Sequence, residues 1–138
     1  MITNIKNRER AVLVQLEIES FNQKNSLTEF KELALSAGVN AVAVVTGRRR
    51  VPDVKYFVGT GKVQEILDLV QAHEADAVIF DHPLSPTQQR NLRNFLTCKI
   101  VDRTNLILDI FAQRARTFEG KLQVELAQLQ YLSTHLVG

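Results

Sequence analysis

Hydrophobic and polar positions follow two different periods along most of the chain. Apolar runs rich in β-branched residues predict strands at residues 11–18, 41–46, 75–80 and 99–101, the second of them buried on both faces. Between the strands, apolar residues recur at helical spacing, most clearly over residues 62–73. Alternating strands and helices are typical of a parallel sheet covered by helices. We therefore predict an α/β fold with a mostly parallel sheet of about four strands flanked by helices.

Capping residues mark the limits of two of these helices. Ser26 is a suitable N-cap with Glu29 at the capping-box position, and Gly38 follows the last turn. Ser85 is an equally good N-cap, and Pro86 fits the first helical position after it. Each of these helices therefore begins and ends between two predicted strands.

The last part of the chain is predicted to be helical, over roughly 103–116 and 118–137. Because a single amphipathic helix is marginal in water, an apolar seam on it must meet another helix. That helix is the preceding one, a downstream one absent from this chain, or a copy from a second molecule. We predict an α/β subdomain at residues 1–116, and at 117–138 the start of a coiled-coil-like subdomain that is half of a helical hairpin. The unpaired seam is expected to form a homodimer with a second copy. Its positions have the spacing of a helix pair and are Leu122, Leu126, Leu129 and Leu136.

The net charge of +2 conceals an uneven distribution. Residues 48–62 carry a net charge of +4, residues 63–81 carry −5, and residues 82–121 carry +4. Two basic segments separated by an acidic helix indicate an oriented electrostatic surface. The alternative interpretation is that these charges are ordinary solvated faces.

The first basic segment is the best candidate for a binding surface. Residues 47–60 are predicted to form a loop, with a short strand at 55–58, and three consecutive arginines before Pro52 make a cationic tip. Tyr56 and Phe57 are candidate surfaces on which bases stack. Arginine and lysine contacts to phosphate dominate the affinity of proteins for nucleic acid. The candidate RNA-binding or ribosome-binding residues are Arg48, Arg49, Arg50, Lys55, Lys62, Arg114, Arg116 and Lys121.

A glycine-containing turn before a predicted helix is a possible anion-binding loop. Glycines let backbone amides turn toward an anion, and the start of a helix adds partial positive charge. A complete phosphate-binding P-loop needs glycine where Tyr56 stands and serine or threonine where Val63 stands. The turn is therefore either a tight start to a helix or a site for another anion. Its residues are Gly59, Thr60, Gly61 and Lys62.

Asp81 and His82 follow a predicted parallel strand, at the sheet edge where α/β proteins bind ligands. Asp81 either contributes to such a site or braces the following turn. His73, His135 and Cys98 have no metal-like spacing, so we predict structural or exposed roles for all the histidines and for the cysteine, and no metal site. No catalytic motif is present, so we do not expect this chain to be an enzyme.

The cellular location is inferred from three simple features. The charged amino terminus lacks the apolar core of a signal peptide, and no apolar run is long enough to suggest a membrane span. A single cysteine permits no internal disulfide, which fits a reducing compartment. We expect a cytoplasmic protein.

Three stretches of the chain resemble a known family. They are YFVGTGKVQEI, ADAVIFDHPLSPTQQRNLRNF and VDRTNLILDIFAQRARTFEGKLQVELAQLQYL. In order and spacing they are similar to the N-terminal domain of the HflX family of ribosome-associated GTPases. The last stretch is the most specific. The resemblance is close over residues 56–138 and looser over 1–55.

The resemblance implies a parent protein that binds and hydrolyses GTP with magnesium. It also implies that this domain docks on the large ribosomal subunit and ribosomal RNA, and that the parent helps to split or rescue ribosomes under stress. The motifs of the GTPase domain do not occur in these residues, so GTP and magnesium are expected to bind in that domain, which would also be a partner of this one. The alternative is a regulatory domain that modulates the GTPase domain or binds a small anionic ligand at the sheet edge.

Overall fold

The computed structural model describes residues 8–21 and 25–118. Within them the sheet has four strands, all parallel, in the order β2-β1-β3-β4. The predicted α/β fold with a parallel sheet of four strands is therefore confirmed. The strands are β1 Glu9–Ile18, β2 Val39–Arg49, β3 Ala77–Phe80 and β4 Lys99–Val101. The helices are α1 Leu27–Ser36, α2 Thr60–His73, α3 Pro86–Leu96 and α4, which is helical over residues 103–118.

The helices cover both faces of the sheet. Successive residues of a strand point to opposite faces, and the central strand β1 divides in this way between two apolar clusters. Val12 and Val14 pack with residues of α2 and α3, whereas Ala11 and Leu13 pack with residues of α1 and α4. Because β2 and β3 lie on opposite sides of β1, the strand order reverses between β1 and β3. Ligand sites of open α/β sheets lie at the carboxyl end of such a point.

The predicted helix caps are confirmed. The Ser26 hydroxyl accepts a hydrogen bond from the Glu29 backbone N–H at 3.3 Å, and Gly38 has a φ of +81°, which favours glycine. Ser85 accepts from the Gln88 backbone N–H at 3.1 Å, and the Gln88 side chain accepts from the Ser85 N–H at 2.9 Å. This reciprocal capping box fixes the start of α3.

Strand β2 differs from the prediction in length and in burial. It extends to Arg49, so Arg48 and Arg49 lie in a strand and not in a loop. Among the described strands it is an edge strand paired with β1, and most of its residues are partly buried or exposed, so the predicted burial on both faces is wrong. A bulge leaves Val42 without a partner in β1, and Val42 and Ala43 both pack on the same apolar cluster. The continuous apolar run thus reflects a bulged edge strand.

The prediction of a short strand at residues 55–58 is wrong, because these residues belong to a turn. Asp53 and Phe57 form an isolated bridge that closes a turn. One oxygen of the Asp53 carboxylate accepts from the backbone N–H groups of Lys55 and Tyr56, at 2.8 and 3.2 Å. Aspartate stabilises turns in this way, and a strand would lack these bonds.

Helix α4 continues to Phe118 without interruption. The predicted leucine seam and most of the predicted helical subdomain at 117–138 lie outside the described residues.

Candidate functional site

The carboxyl ends of the strands surround a cleft of about 1000 Å³. Its walls come from the ends of β1, β2 and β3 and from the first residue of α4. It lies at the point where the strand order reverses between β1 and β3. The cleft is therefore in the place where open parallel sheets bind ligands.

An ion pair between a buried carboxylate and a partly exposed guanidinium lines this cleft. Asp81 is 0% exposed, and its Oδ1 accepts from the guanidinium of Arg103, the first residue of α4. Its Oδ2 accepts from the Gln15 side chain at 2.8 Å. Asp81 therefore braces α4 and β1, and both carboxylate oxygens are engaged. Sequence reasoning identified Asp81 but not Gln15 or Arg103, because both partners are distant in the chain.

His82 has a structural role beside this pair. Its Nε2 accepts from the Leu16 backbone N–H at 2.9 Å, and its ring stacks on Phe57 with centroids 4.8 Å apart. Burial lowers the pKa of His82. The negative charge of Asp81 opposes this shift, and the positive charge of Arg103 adds to it. A neutral imidazole is required, since a protonated Nε2 cannot accept the Leu16 N–H.

A second buried carboxylate holds the start of α4. Asp102 is 5% exposed, and its Oδ1 accepts from the Asn105 backbone N–H at 2.9 Å, which caps the helix. Its Oδ2 accepts from the Leu84 N–H at 3.1 Å and the Gln89 side chain at 3.3 Å. One side chain thus joins α4 to the segment before α3 and to α3 itself. An aspartate directly after a predicted strand and before a predicted helix was the signal available in the sequence.

The three consecutive arginines lie at the carboxyl end of β2. Arg48 pairs with Glu17 at 3.0 Å, and both side chains are exposed. The Arg49 guanidinium donates to the Val51 carbonyl at 3.0 Å, and Arg50 is exposed. Two of the three arginines of the predicted loop tip therefore belong to a strand, with Arg48 and Arg49 held by backbone pairing to β1.

The predicted anion loop starts helix α2 next to these arginines. The Lys62 ammonium donates to the Thr46 carbonyl at 3.0 Å and pairs with Glu65 at 3.2 Å. A Cβ added to Gly59 would lie 2.7 Å from a terminal nitrogen of Arg49, so a larger residue there would displace the Arg49 guanidinium. The structure thus places the predicted anion loop beside the end of β2.

The turn at residues 53–57 lies against α3. Tyr56 packs on Phe95 with centroids 5.6 Å apart, and the Lys55 ammonium lies 5.1 Å from the Tyr56 ring. Phe57 is 2% exposed, so its predicted role as a stacking surface for bases is wrong. Its ring is already occupied by His82 and Phe80.

The other predicted binding residues lie elsewhere. Arg114 and Arg116 are exposed on α4, which packs on the opposite face of the sheet from α2. Lys121 lies outside the described residues. The predicted set therefore divides into a group between the end of β2 and the first turn of α2, and a separate pair on α4.

Two further observations apply to the part of the chain that the structure describes. Over residues 8–21 and 25–118, no group of three metal-ligating side chains occurs, and no helix has the length and hydropathy needed to cross a membrane. Burial raises the pKa of Cys98 to about 11, with Asp76 adding to the effect, so its thiol is unreactive at neutral pH.

Comparison with known proteins identifies the family. Residues 24–112 match the family model described as "GTP-binding GTPase N-terminal", and residues 114–138 match "GTP-binding GTPase Middle Region". The chain belongs to the HflX family of GTPases. It matches the N-terminal domain of that family, as the sequence resemblance indicated.

Curated relatives and solved structures support this assignment. GTPase HflX of Escherichia coli (strain K12) is 57% identical over 94% of this chain and 30% of that protein. GTPase HflX of Caldanaerobacter subterraneus subsp. tengcongensis is 47% identical over 96% of this chain and 31% of that protein. A GTP-binding protein from Sulfolobus solfataricus in complex with GDP aligns with a TM-score of 0.58 and 27% identity, over 90% of this chain and 37% of that one. This chain thus spans about 30% of the length of the curated relatives it matches.

Proposed function

We propose that this domain docks an HflX-like GTPase onto the large ribosomal subunit through ribosomal RNA. The observation that carries the proposal is the group of basic residues between the end of β2 and the first turn of α2. We call it the β2 basic cluster; its members are Arg48, Arg49, Arg50, Lys55 and Lys62.

The β2 basic cluster keeps positive charge after its internal pairing is counted. Glu17 offsets Arg48, and Glu65 offsets Lys62, both at the surface. Within the described residues, neither Arg50 nor Lys55 has a recorded ion pair. Because surface pairs are weak, RNA phosphates can replace the carboxylates at little cost.

The position of the β2 basic cluster also favours docking. Arg48 and Arg49 project from a strand whose backbone pairs with β1 up to Ile18 and Arg49. The Glu19 and Ser20 N–H groups donate to the carbonyls of Arg49 and Arg50, at 2.9 and 3.0 Å. Backbone held in this way loses little conformational entropy on binding.

The rest of the parent protein supplies the chemistry in this proposal. Two relatives bear the name GTPase HflX, and a structural neighbour was solved with GDP. We infer that the parent binds and hydrolyses GTP with magnesium in another domain, acts in the cytoplasm, and helps to split or rescue ribosomes under stress. The described residues complete no P-loop, since Val63 occupies the position of the magnesium-binding hydroxyl and is buried.

Co-sedimentation with purified large ribosomal subunits tests the docking role. We expect the chain to sediment with subunits at low salt and to be released at high salt. Changing Arg48, Arg49 and Arg50 to alanine should weaken binding, most strongly at low salt. Arg93→Ala is the matched control, because Arg93 is exposed on α3 outside the β2 basic cluster. No sedimentation of the unaltered chain at low salt would contradict docking by this domain.

A second candidate function is regulation of the GTPase domain, with or without a small anionic ligand in the cleft. The supporting observation is that Arg103 both lines the cleft and begins α4, which leads into the region matched by the Middle Region model. This candidate predicts that removing the domain from the parent changes GTP turnover in the absence of ribosomes. Unchanged turnover would exclude it.

A further inference from the structure

The cleft at the carboxyl edge of the sheet combines two guanidinium groups with apolar surface. Arg48 and Arg103 both line it, and so do Leu16, Ile18 and Phe21. A ligand with one anionic group and one flat, weakly polar group would contact both kinds of surface. A nucleotide has this composition.

The Arg103 guanidinium is oriented by the protein before any ligand arrives. The Asp81 carboxylate accepts a hydrogen bond from one terminal nitrogen of Arg103. It also accepts one from the Gln15 side-chain amide at 2.8 Å, which fixes its position. A guanidinium has five N–H donors, and Asp81 is the one partner recorded for it among residues 8–21 and 25–118. Because the Arg103 side chain is 33% exposed, its other donors are available to a phosphate in the cleft.

Arg48 approaches the same cleft from β2, and its present partner is easily replaced. The Arg48 and Glu17 side chains are 68% and 43% exposed, so their attraction is weakened by water. A phosphate has the same preference for a guanidinium fork as a carboxylate. Arg48 also belongs to the β2 basic cluster, so the cleft opens beside the surface proposed to meet RNA.

Phe21 supplies an aromatic surface at the cleft. Its side chain is 45% exposed, and its backbone N–H donates to the Ile18 carbonyl at 3.1 Å. This backbone hydrogen bond keeps Phe21 close to the end of β1, while nearly half of its surface stays exposed to solvent. Exposed aromatic rings next to arginines are typical of sites where unpaired bases stack.

We propose that this cleft accepts one unpaired nucleotide of the RNA on which the domain docks, with the base against Phe21 and a phosphate on Arg103 and Arg48. The inference rests on the proposed docking function and adds a specific contact to it. A base within a duplex has both faces stacked and cannot reach Phe21. The cleft volume of about 1000 Å³ is at the upper end of typical ligand pockets and is sufficient for a single nucleotide.

The direct test is the affinity of the chain for a short single-stranded RNA and for a duplex RNA of the same length, measured by fluorescence anisotropy. We expect tighter binding of the single strand. Phe21→Ala should weaken that binding about tenfold, the size of a lost stacking contact, and should leave duplex binding unchanged. Phe111→Ala is the matched control, because Phe111 is 71% exposed on α4 and does not line the cleft.

Arg103→Lys tests the phosphate contact. Lysine keeps the positive charge beside Asp81 but lacks the planar fork, so single-strand affinity should fall several-fold while its salt dependence is retained. Thermal unfolding followed by circular dichroism verifies that each variant is folded. Equal affinity of the unaltered chain and Phe21→Ala for the single strand would overturn the proposal.

Two further results separate this inference from the docking function. If subunits bind the chain in a salt-dependent way and Phe21→Ala has no effect, the cleft contact is refuted and docking stands. If guanosine or adenosine monophosphate binds with sensitivity to Phe21→Ala but the oligonucleotide does not bind, the site serves a free nucleotide, and its assignment to RNA is overturned. If the single strand binds as expected but subunits do not, docking on the ribosome fails while the nucleotide site stands.

Discussion

Two groups of charged side chains at the same edge of the sheet have opposite surroundings. Asp81 and Asp102 are buried, and all four of their carboxylate oxygens accept hydrogen bonds. Arg48 and Arg50, at the end of β2, are exposed, and Arg48 meets a single exposed carboxylate. A buried carboxylate is costly unless its oxygens are paired. Asp81 and Asp102 therefore hold their partners in place, and these partners include the first turn of α4. The second group remains able to exchange its partners, as a docking surface requires.

The largest expected effect comes from removing the buried partner of Arg103. Asp81→Ala leaves Arg103 and Gln15 without their shared acceptor and should lower the free energy of unfolding by about 3 kcal/mol. Glu17→Ala breaks the exposed pair with Arg48 and should cost at most about 0.5 kcal/mol. Urea denaturation measures both. Equal losses would contradict the contrast between the two groups.

The second buried carboxylate should have a somewhat smaller effect. Asp102→Ala removes the cap of α4 and the bonds from Leu84 and Gln89, so we expect a loss of about 2 kcal/mol. Asp102→Asn keeps one side-chain oxygen as an acceptor and should retain part of the stability that Asp102→Ala loses. Asp109→Ala, at an exposed position of α4, is the control in thermal unfolding. If Asp109→Ala loses as much stability as Asp102→Ala, the loss is not specific to the cap, and the stabilising role of Asp102 is contradicted.

Mild acid should destabilise the domain through His82. Its pKa is lowered in the folded state, so on acidification the unfolded chain binds a proton first, below its own pKa of about 6.5. Stability is therefore complete above that pH and falls as pH decreases toward the lowered folded pKa, by up to about 1.4 kcal/mol per pH unit. Melting temperatures between pH 7.5 and 5.5 measure this. His82→Asn should flatten the dependence, whereas His73→Asn should preserve it.

The smallest effect is self-association through the described part of α4. Leu108, Phe111 and Phe118 are 56%, 71% and 65% exposed, and their spacing of three and seven residues places them on one side of the helix. We expect weak dimerisation at high concentration, reduced by Phe111→Glu and measured by analytical ultracentrifugation. A monomer at every concentration would refute the homodimer, including the predicted contribution of the leucine seam.

The local features of this fold were predictable because they depend on residues close in the chain. The capping of α1 by Ser26 and of α3 by Ser85 follows from side chains that bond three residues ahead. The apolar runs likewise predicted all four strands, since burial alone produces them.

The features that were missed depend on long-range pairing. The sequence around Arg48 and Arg49 is polar, and it forms a strand because β1 supplies the hydrogen-bonding partner. Arg103 lies 22 residues after Asp81 and meets it only once β3 and β4 are adjacent. Phe57 stands in a basic segment and was therefore predicted to be an exposed stacking surface, yet packing against His82 and Phe80 buries it. Strand order, which sequence patterns do not contain, determines the first two of these.

The most direct test of the docking function is the salt dependence of binding to purified large ribosomal subunits. The unaltered chain and the variant with alanine at Arg48, Arg49 and Arg50 are compared with Arg93→Ala. We expect the logarithm of the binding constant to fall linearly with the logarithm of salt concentration. The triple variant should reduce this slope by about three, while Arg93→Ala leaves it unchanged. Equal slopes for the unaltered chain and the triple variant would contradict docking through the β2 basic cluster.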